Sequence, residues 1–217
     1  EKYRGCCWEP TDAEPWSVTC SIHPAGVLRQ DARRIWIELL RDDLIKAHKL
    51  ASGDLRLWEP EVRSPRDWRE VVRFLKSINR GQRPVAVDIE TDSIDALTAN
   101  LRMIGVATTD EAYSIPWRDW YMNYYSVNEW RPIHTELCNL FRDEENKLVF
   151  QNKIYDIPCL ERYFGRIVAE RHDTLLLHHA LFPKVPHDLQ FLTAHFLPSP
   201  PWKSEFDEAN AGWIKQG

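Results

Sequence analysis

Residues 85–91, VAVDIET, set two acids, Asp88 and Glu90, at alternate positions in an otherwise apolar run. Alternation is the mark of a strand, and side chains two apart on a strand point the same way. Burying one ionised carboxylate without a partner is costly, and two side by side also repel. Either the strand runs into solvent here and the acids are wet, or hard divalent cations such as Mg²⁺ or Mn²⁺ sit between them. The D-x-E pattern by itself is read first as a wet strand end.

The pattern around this run predicts an α/β chain. Residues 16–22, WSVTCSI, alternate as a strand that His23-Pro24 breaks. A helix is expected over 31–50 with Asp31 as N-cap, then a Gly- and Pro-bearing linker over 51–65, then a helix over 65–79 that Asn79-Arg80-Gly81 stops. The period then changes. VAVDIET is followed by strands at 101–109 and 111–117 joined by a short turn, an aromatic loop at 118–127 and a helix at 128–143. A strand at 147–151, a helix from Lys153 to Tyr163, a helix over 174–182 capped by Asp173 and a last helix at 187–197 complete the regular part. The remaining tail has no readable pattern. This order predicts a mixed sheet with helices on both faces.

Residues 150–164, FQNKIYDIPCLERYF, add a third acid. Asn152 and Asp156 are four apart and share a face if both are helical. Asp156 is open to two readings: an N-cap with Pro158 in the first turn, or a group near the helix start that reaches the same cations as Asp88 and Glu90.

Strand D-x-E, hairpin, helix, strand and N-x-x-Y-D, in that order, resemble the 3′–5′ exonuclease domain of family A DNA polymerases, the DNA polymerase I kind and its phage relatives. VAVDIETDSIDALTANLRMIGVA is similar to the family's first motif and QNKIYDIPCLERYFG to its second, while HDTLLLHHALFP and HDLQFLTAHFL resemble the helices that follow. The resemblance covers about residues 83–206. It implies an RNase H-like three-layer α/β/α fold and two-metal hydrolysis of the phosphodiester at a single-stranded DNA 3′ end, with Mg²⁺ or Mn²⁺ as cofactor. It makes Asp88, Glu90 and Asp156 the catalytic metal ligands and Asn152 a residue behind them. Main-chain groups near Thr91, together with Tyr155 and a wedging Ile94, would hold the 3′-terminal nucleotide. An aromatic after the last helix, Trp202 or Phe206, would pack on the substrate strand. The family's third motif, an aromatic followed by a last aspartate, is not found before Gly217. The expectation is therefore a fragment truncated before that motif, with weakened cation binding, from a parent whose polymerase domain follows on the C-terminal side.

The N-terminal segments YRGCCWEP, WSVTCSIHPAGVLRQ and IWIELLRDDLIKAHKLA resemble the C-terminal end of the uracil-DNA glycosylase superfamily, through His23, Pro24, Leu28 and Arg29. From the residues alone, His23 reads as a partly buried residue in the turn that ends a strand. The expected organisation is a glycosylase-like α/β remnant at 1–53, a linker and lead-in helix at 54–82 and the exonuclease domain at 83–217.

Composition narrows the classes. A chain of 217 residues, 43% hydrophobic, holds one full domain plus something smaller, or one large domain. Its net charge of −5 does not suit a protein that coats duplexes, so nucleic-acid binding must rest on a local site. Five cysteines without regular spacing fit reduced thiols in a reducing cytosol, and the family resemblance implies the cytoplasm of a bacterial or phage-infected cell. Cys6-Cys7 read as two small apolar residues. His172, His178, His179, His187 and His195 lack finger-like spacing and read as helix-face and cap residues. Most of the ten tryptophans read as core. No run is apolar and long enough to span a membrane.

Overall fold

In chain order the elements begin with strands β1 (Cys7–Trp8) and β2 (Val18–Thr19) and helices α1 (Pro24–Arg29) and α2 (Arg33–Ala51). β3 (Val62–Arg63) and α3 (Trp68–Ser77) lead into β4 (Val85–Thr91), β5 (Leu101–Ala107) and β6 (Ala112–Pro116). Then come α4 (Val127–Arg142), β7 (Lys147–Phe150), α5 (Lys153–Phe164), β8 (Glu170–Asp173), α6 (Thr174–Leu181) and α7 (Leu189–Phe196). The computed structural model describes residues 3–8, 10, 12, 16–29, 33–57, 61–78, 83–117 and 124–201. Among these, no helix is long and apolar enough to cross a membrane.

Two compact units are present, Glu1–Glu59 with His178–Gly217, and Pro60–Leu177. The expected organisation ran in simple order along the chain, whereas here the residues from His178 onward group with the N-terminal segment.

The Pro60–Leu177 unit is built on a mixed sheet of six described strands in the order β3-β6-β5-β4-β7-β8. β4, β5 and β6 are antiparallel neighbours, while β4, β7 and β8 run parallel. β4 thus stands where the sheet changes from antiparallel to parallel. The alternation in VAVDIET is real: Val85, Val87 and Ile89 are buried, and Ala86, Asp88 and Glu90 are exposed. The apolar face packs on Val71, Phe74 and Leu75 of α3, Ile133, Leu137 and Phe141 of α4, and Cys159, Leu160 and Phe164 of α5. Each fully buried Leu, Ile or Phe contributes about 1.5–3 kcal/mol, so this face sets the strand's register and leaves the acids on the other side. Phe74 stacks on Tyr113 at 3.9 Å, and Trp117 meets Trp130 and Tyr163 at 4.0 and 5.0 Å. These tryptophans serve the core.

Element limits follow local chemistry. α3 begins at Trp68 and not near Pro65, because the Asp67 carboxylate accepts from the Arg69 N–H at 3.0 Å. The expected strand at 16–22 contracts to Val18–Thr19.

In the other unit, β1 and β2 pair antiparallel, and α2 packs on α7. Buried Asp43 accepts from Arg4 at 2.8 Å and from the Ser21 hydroxyl at 2.7 Å. The buried Lys46 ammonium donates to the carbonyls of Gly5, Ala194 and Leu197, at 3.1, 2.5 and 3.2 Å. All three of its protons are satisfied, which lets a lysine lie inside. Gly5 has φ +77, and a Cβ there would lie 2.3 Å from the Ala194 oxygen, so only glycine fits that approach. His23 is exposed, and its Nδ1 accepts from the Ala25 N–H at 3.1 Å, capping α1. Cys6 and Cys7 are buried, and all five cysteines are free thiols. His178 and His187 share a 2.8 Å nitrogen–nitrogen hydrogen bond.

Candidate active site

β7 pairs parallel with the start of β4, Val85 beside Leu148 and Ala86 beside Val149, so β7 ends close to the level at which Asp88 stands on β4, and open α/β sheets form their ligand sites beyond such carboxyl ends. Asp88 and Glu90 occupy the exposed face of β4, opposite Gly105 and Met103 of β5. The register shifts between Glu90 and Thr91, directly after the second acid. Irregularities of this kind re-aim side chains at sheet edges and beside active sites.

Asp156 comes from α5, which follows β7. It is not the N-cap. That position belongs to Asn152, whose backbone is left-handed at φ 71, ψ 52 and whose side chain caps nothing. Asn152 is therefore outside the helix, exposed, and the shared helical face expected for Asn152 and Asp156 does not form. Asp156 is the fourth residue of α5 and is 4% exposed. Its Oδ2 is buried with no hydrogen-bond partner among the described residues.

The electrostatics are one-sided. Burial, then the charges of Asp88, Asp173 and Glu90, push the Asp156 carboxyl up to about 8. The helix N-terminus would favour an anion there, but desolvation and three like charges outweigh it. Crowding by protein also raises Asp88, although the residue as a whole is exposed. Among the described residues no three His, Cys, Asp or Glu side chains close into a group that could hold a metal. The donor chemistry nevertheless suits a hard divalent ion: all-oxygen ligands, excess negative charge and one buried oxygen without a partner.

Tyr155, one residue earlier, turns toward β4. Its hydroxyl donates to the Ser93 carbonyl and meets the Thr91 hydroxyl, which itself donates to Ser93 O at 2.9 Å. Glu90, Thr91, Ser93, Ile94 and Tyr155 line a shallow depression of about 480 Å³. Ile94 is 98% exposed at its rim. The loop that carries it is held from both sides. Asp92 accepts from the Asn100 N–H at 2.7 Å and from Arg102 at 2.9 Å, and Arg162 donates to Ala96 O and Ala99 O at 3.1 and 2.8 Å. Trp202 and Phe206 lie outside the described residues.

The model of the 3′-5′ exonuclease family matches residues 62–216, more than half of the chain. The chain belongs to this exonuclease family. No curated protein sequence matches it. Among solved structures, the catalytic core of RRP6 from Trypanosoma brucei aligns with TM-score 0.50 and 17% identity, over 65% of this chain and 36% of that one. Escherichia coli RNase D aligns with TM-score 0.46 and 15% identity, over 61% and 32%. Brucella melitensis NrnC bound to pGG aligns with TM-score 0.46 and 16% identity, over 66% and 67%. The chain thus spans about a third of the RRP6 and RNase D chains. At this identity the RRP6 likeness is one of fold, the RNase H-like 3′–5′ exonuclease fold.

Within this exonuclease domain the structure adds residues that the sequence reading passed over. Asp173, expected to cap the helix that follows it, has a carboxylate that serves two helices. Arg162, within the helix expected from Lys153 to Tyr163, anchors the loop after β4, and the Tyr163 hydroxyl accepts from the Leu101 N–H at the start of β5. An Arg and a Tyr on a helix carry no local mark of such a role.

Proposed function

We propose that the domain hydrolyses the terminal phosphodiester at single-stranded DNA 3′ ends, with Asp88, Glu90 and Asp156 holding Mg²⁺ or Mn²⁺. The observation that carries the reading is the buried, unpartnered carboxyl oxygen of Asp156 amid the charges of Asp88, Glu90 and Asp173. Bound divalent ions would activate a water as nucleophile and steady the leaving 3′ oxygen. The chain's own part is to aim the acids and seat the terminus. Glu90 stands between the acidic face of β4 and the depression beside Thr91. A terminal nucleotide in that depression would rest against the exposed Ile94, with Tyr155 fixing the loop under it. Single strands suit so open a site, since a duplex end must first fray.

The parent we propose is a phage-type family A DNA polymerase, with its polymerase domain C-terminal to this region and a glycosylase-like segment around His23 and Arg29, acting in the cytoplasm. The motif order and the N-terminal likeness support that reading. A parent chain without polymerase motifs downstream would refute it.

A second reading is a non-catalytic module that binds single-stranded DNA. The lack of a closed three-ligand group among the described residues favours it. One assay separates the two. A 5′-labelled single strand is incubated with the protein in Mn²⁺ and in EDTA, and an RNA strand is run beside it. The proposal expects stepwise shortening of DNA from the 3′ end in Mn²⁺ only, reduced at least about 100-fold in Asp88→Ala. Binding without shortening supports the second reading, and preferential shortening of the RNA overturns the choice of DNA.

A further inference from the structure

The carboxylate of Asp173 does more than end a strand. β8 lies parallel to β7 with Asp173 paired to Phe150, so it stands where the chain leaves β7 for α5. Asp173 is 3% exposed. Its Oδ1 accepts from the Asn152 N–H at 3.2 Å, and its Oδ2 from the Lys153 N–H at 2.9 Å. Oδ1 also accepts from the N–H groups of Leu175 and Leu176, at 2.9 and 3.3 Å. One side chain therefore caps two helices, α5 from the neighbouring strand and α6 directly after it in sequence. Two helix N-termini face this anion, which is what makes its burial tolerable.

The first of these caps bears on the site. α5 has no cap of its own, because the Asn152 side chain bonds to none of its N–H groups. Asn152 instead adopts a left-handed conformation, which is unfavourable for a non-glycine residue and persists where its surroundings over-determine it. The bonds from Asp173 to the N–H groups of Asn152 and Lys153 are that enforcement. They fix the residue at which α5 starts, and with it where its fourth residue, Asp156, enters the acidic cluster. Next to Asp173, the Thr174 hydroxyl donates to Phe150 O at 3.1 Å and braces the same turn.

We propose that Asp173 is a positioning residue of the nuclease centre: by capping α5 from the neighbouring strand it holds Asn152 left-handed and sets the register that delivers Asp156. The inference rests on the nuclease reading above for its consequence, but not for its geometry.

The test is Asp173→Asn in the whole chain. Asparagine keeps one carbonyl acceptor and the shape, but it cannot accept on both sides, so the cap on α5 or part of that on α6 is lost. With single-stranded DNA and Mn²⁺, the folded variant is expected to lose about 10- to 100-fold in kcat with KM changed less than about threefold, because a misplaced group acts on turnover more than on binding. Adding Asn152→Gly, which accepts the left-handed conformation freely, is expected to recover part of the loss. Amide hydrogen exchange is read on the same samples, with Asn152 and Lys153 protected in the wild type and exposed in Asp173→Asn. Unchanged kcat in the folded variant, or fast exchange of those two amides in the wild type, overturns the proposal. Protected amides in a wild type without any turnover would instead overturn the nuclease reading.

Discussion

Asp156 is the residue whose environment says most. Its carboxyl is pushed up to about 8 by burial and by Asp88, Asp173 and Glu90, against an ordinary value near 3.8. Without metal the folded protein therefore takes up a proton there between those two values. The stability tied to that proton is complete below the lower value and is lost as pH rises through about 8. In EDTA the thermal midpoint of the wild type is expected to fall from pH 6 to pH 8.5. Asp156→Asn, which carries no such charge, should melt higher at pH 8.5 and show a flatter profile. Equal slopes for the two proteins would contradict the buried-acid account. Sequence reasoning brought Asp88, Glu90 and Asp156 together through spacing and resemblance. The expected helix from Lys153 to Tyr163 already contains Asp156; the left-handed cap at Asn152 was not legible, since no local pattern marks that conformation at an asparagine.

Among the elements, those with strong apolar periodicity were legible and the polar ones were not. VAVDIET, LRMIGVA and KLVF became β4, β5 and β7 because alternate residues face the core. β8 went unread because ERHD has no apolar alternation; it is an edge strand, held by its pairing with β7. The double cap by Asp173 was hidden for the same reason, as it exists only once β8 lies beside β7. In the N-terminal unit, the segment before β1 is fixed to the end of α7 by Lys46 and by the close approach of Gly5 to Ala194. Gly5→Ala should lower unfolding free energy by about 1–3 kcal/mol in a urea titration, through the positive φ and the blocked contact. A change within experimental error would show that this approach relaxes freely.

At the level of the whole molecule, the fold was readable because D-x-E, hairpin, helix, strand and N-x-x-Y-D recur in a fixed order, and the matched span of 62–216 agrees with it. The grouping of the last described helix with the N-terminal segment was not, because it depends on Lys46, which donates to the Ala194 and Leu197 carbonyls, and on Arg4, which lies over the Phe191 ring, partners far away in sequence. The central claim is that the acids on β4 and α5 form one cation site. Its most direct measurement is Mn²⁺ binding followed by electron paramagnetic resonance at pH 7.5, on the wild type, Asp88→Ala and Asp156→Asn. The account predicts saturable Mn²⁺ binding by the wild type, displaced by Mg²⁺ and weakened at least about tenfold in each variant. Binding that is absent from the wild type, or undiminished in both variants, would contradict it.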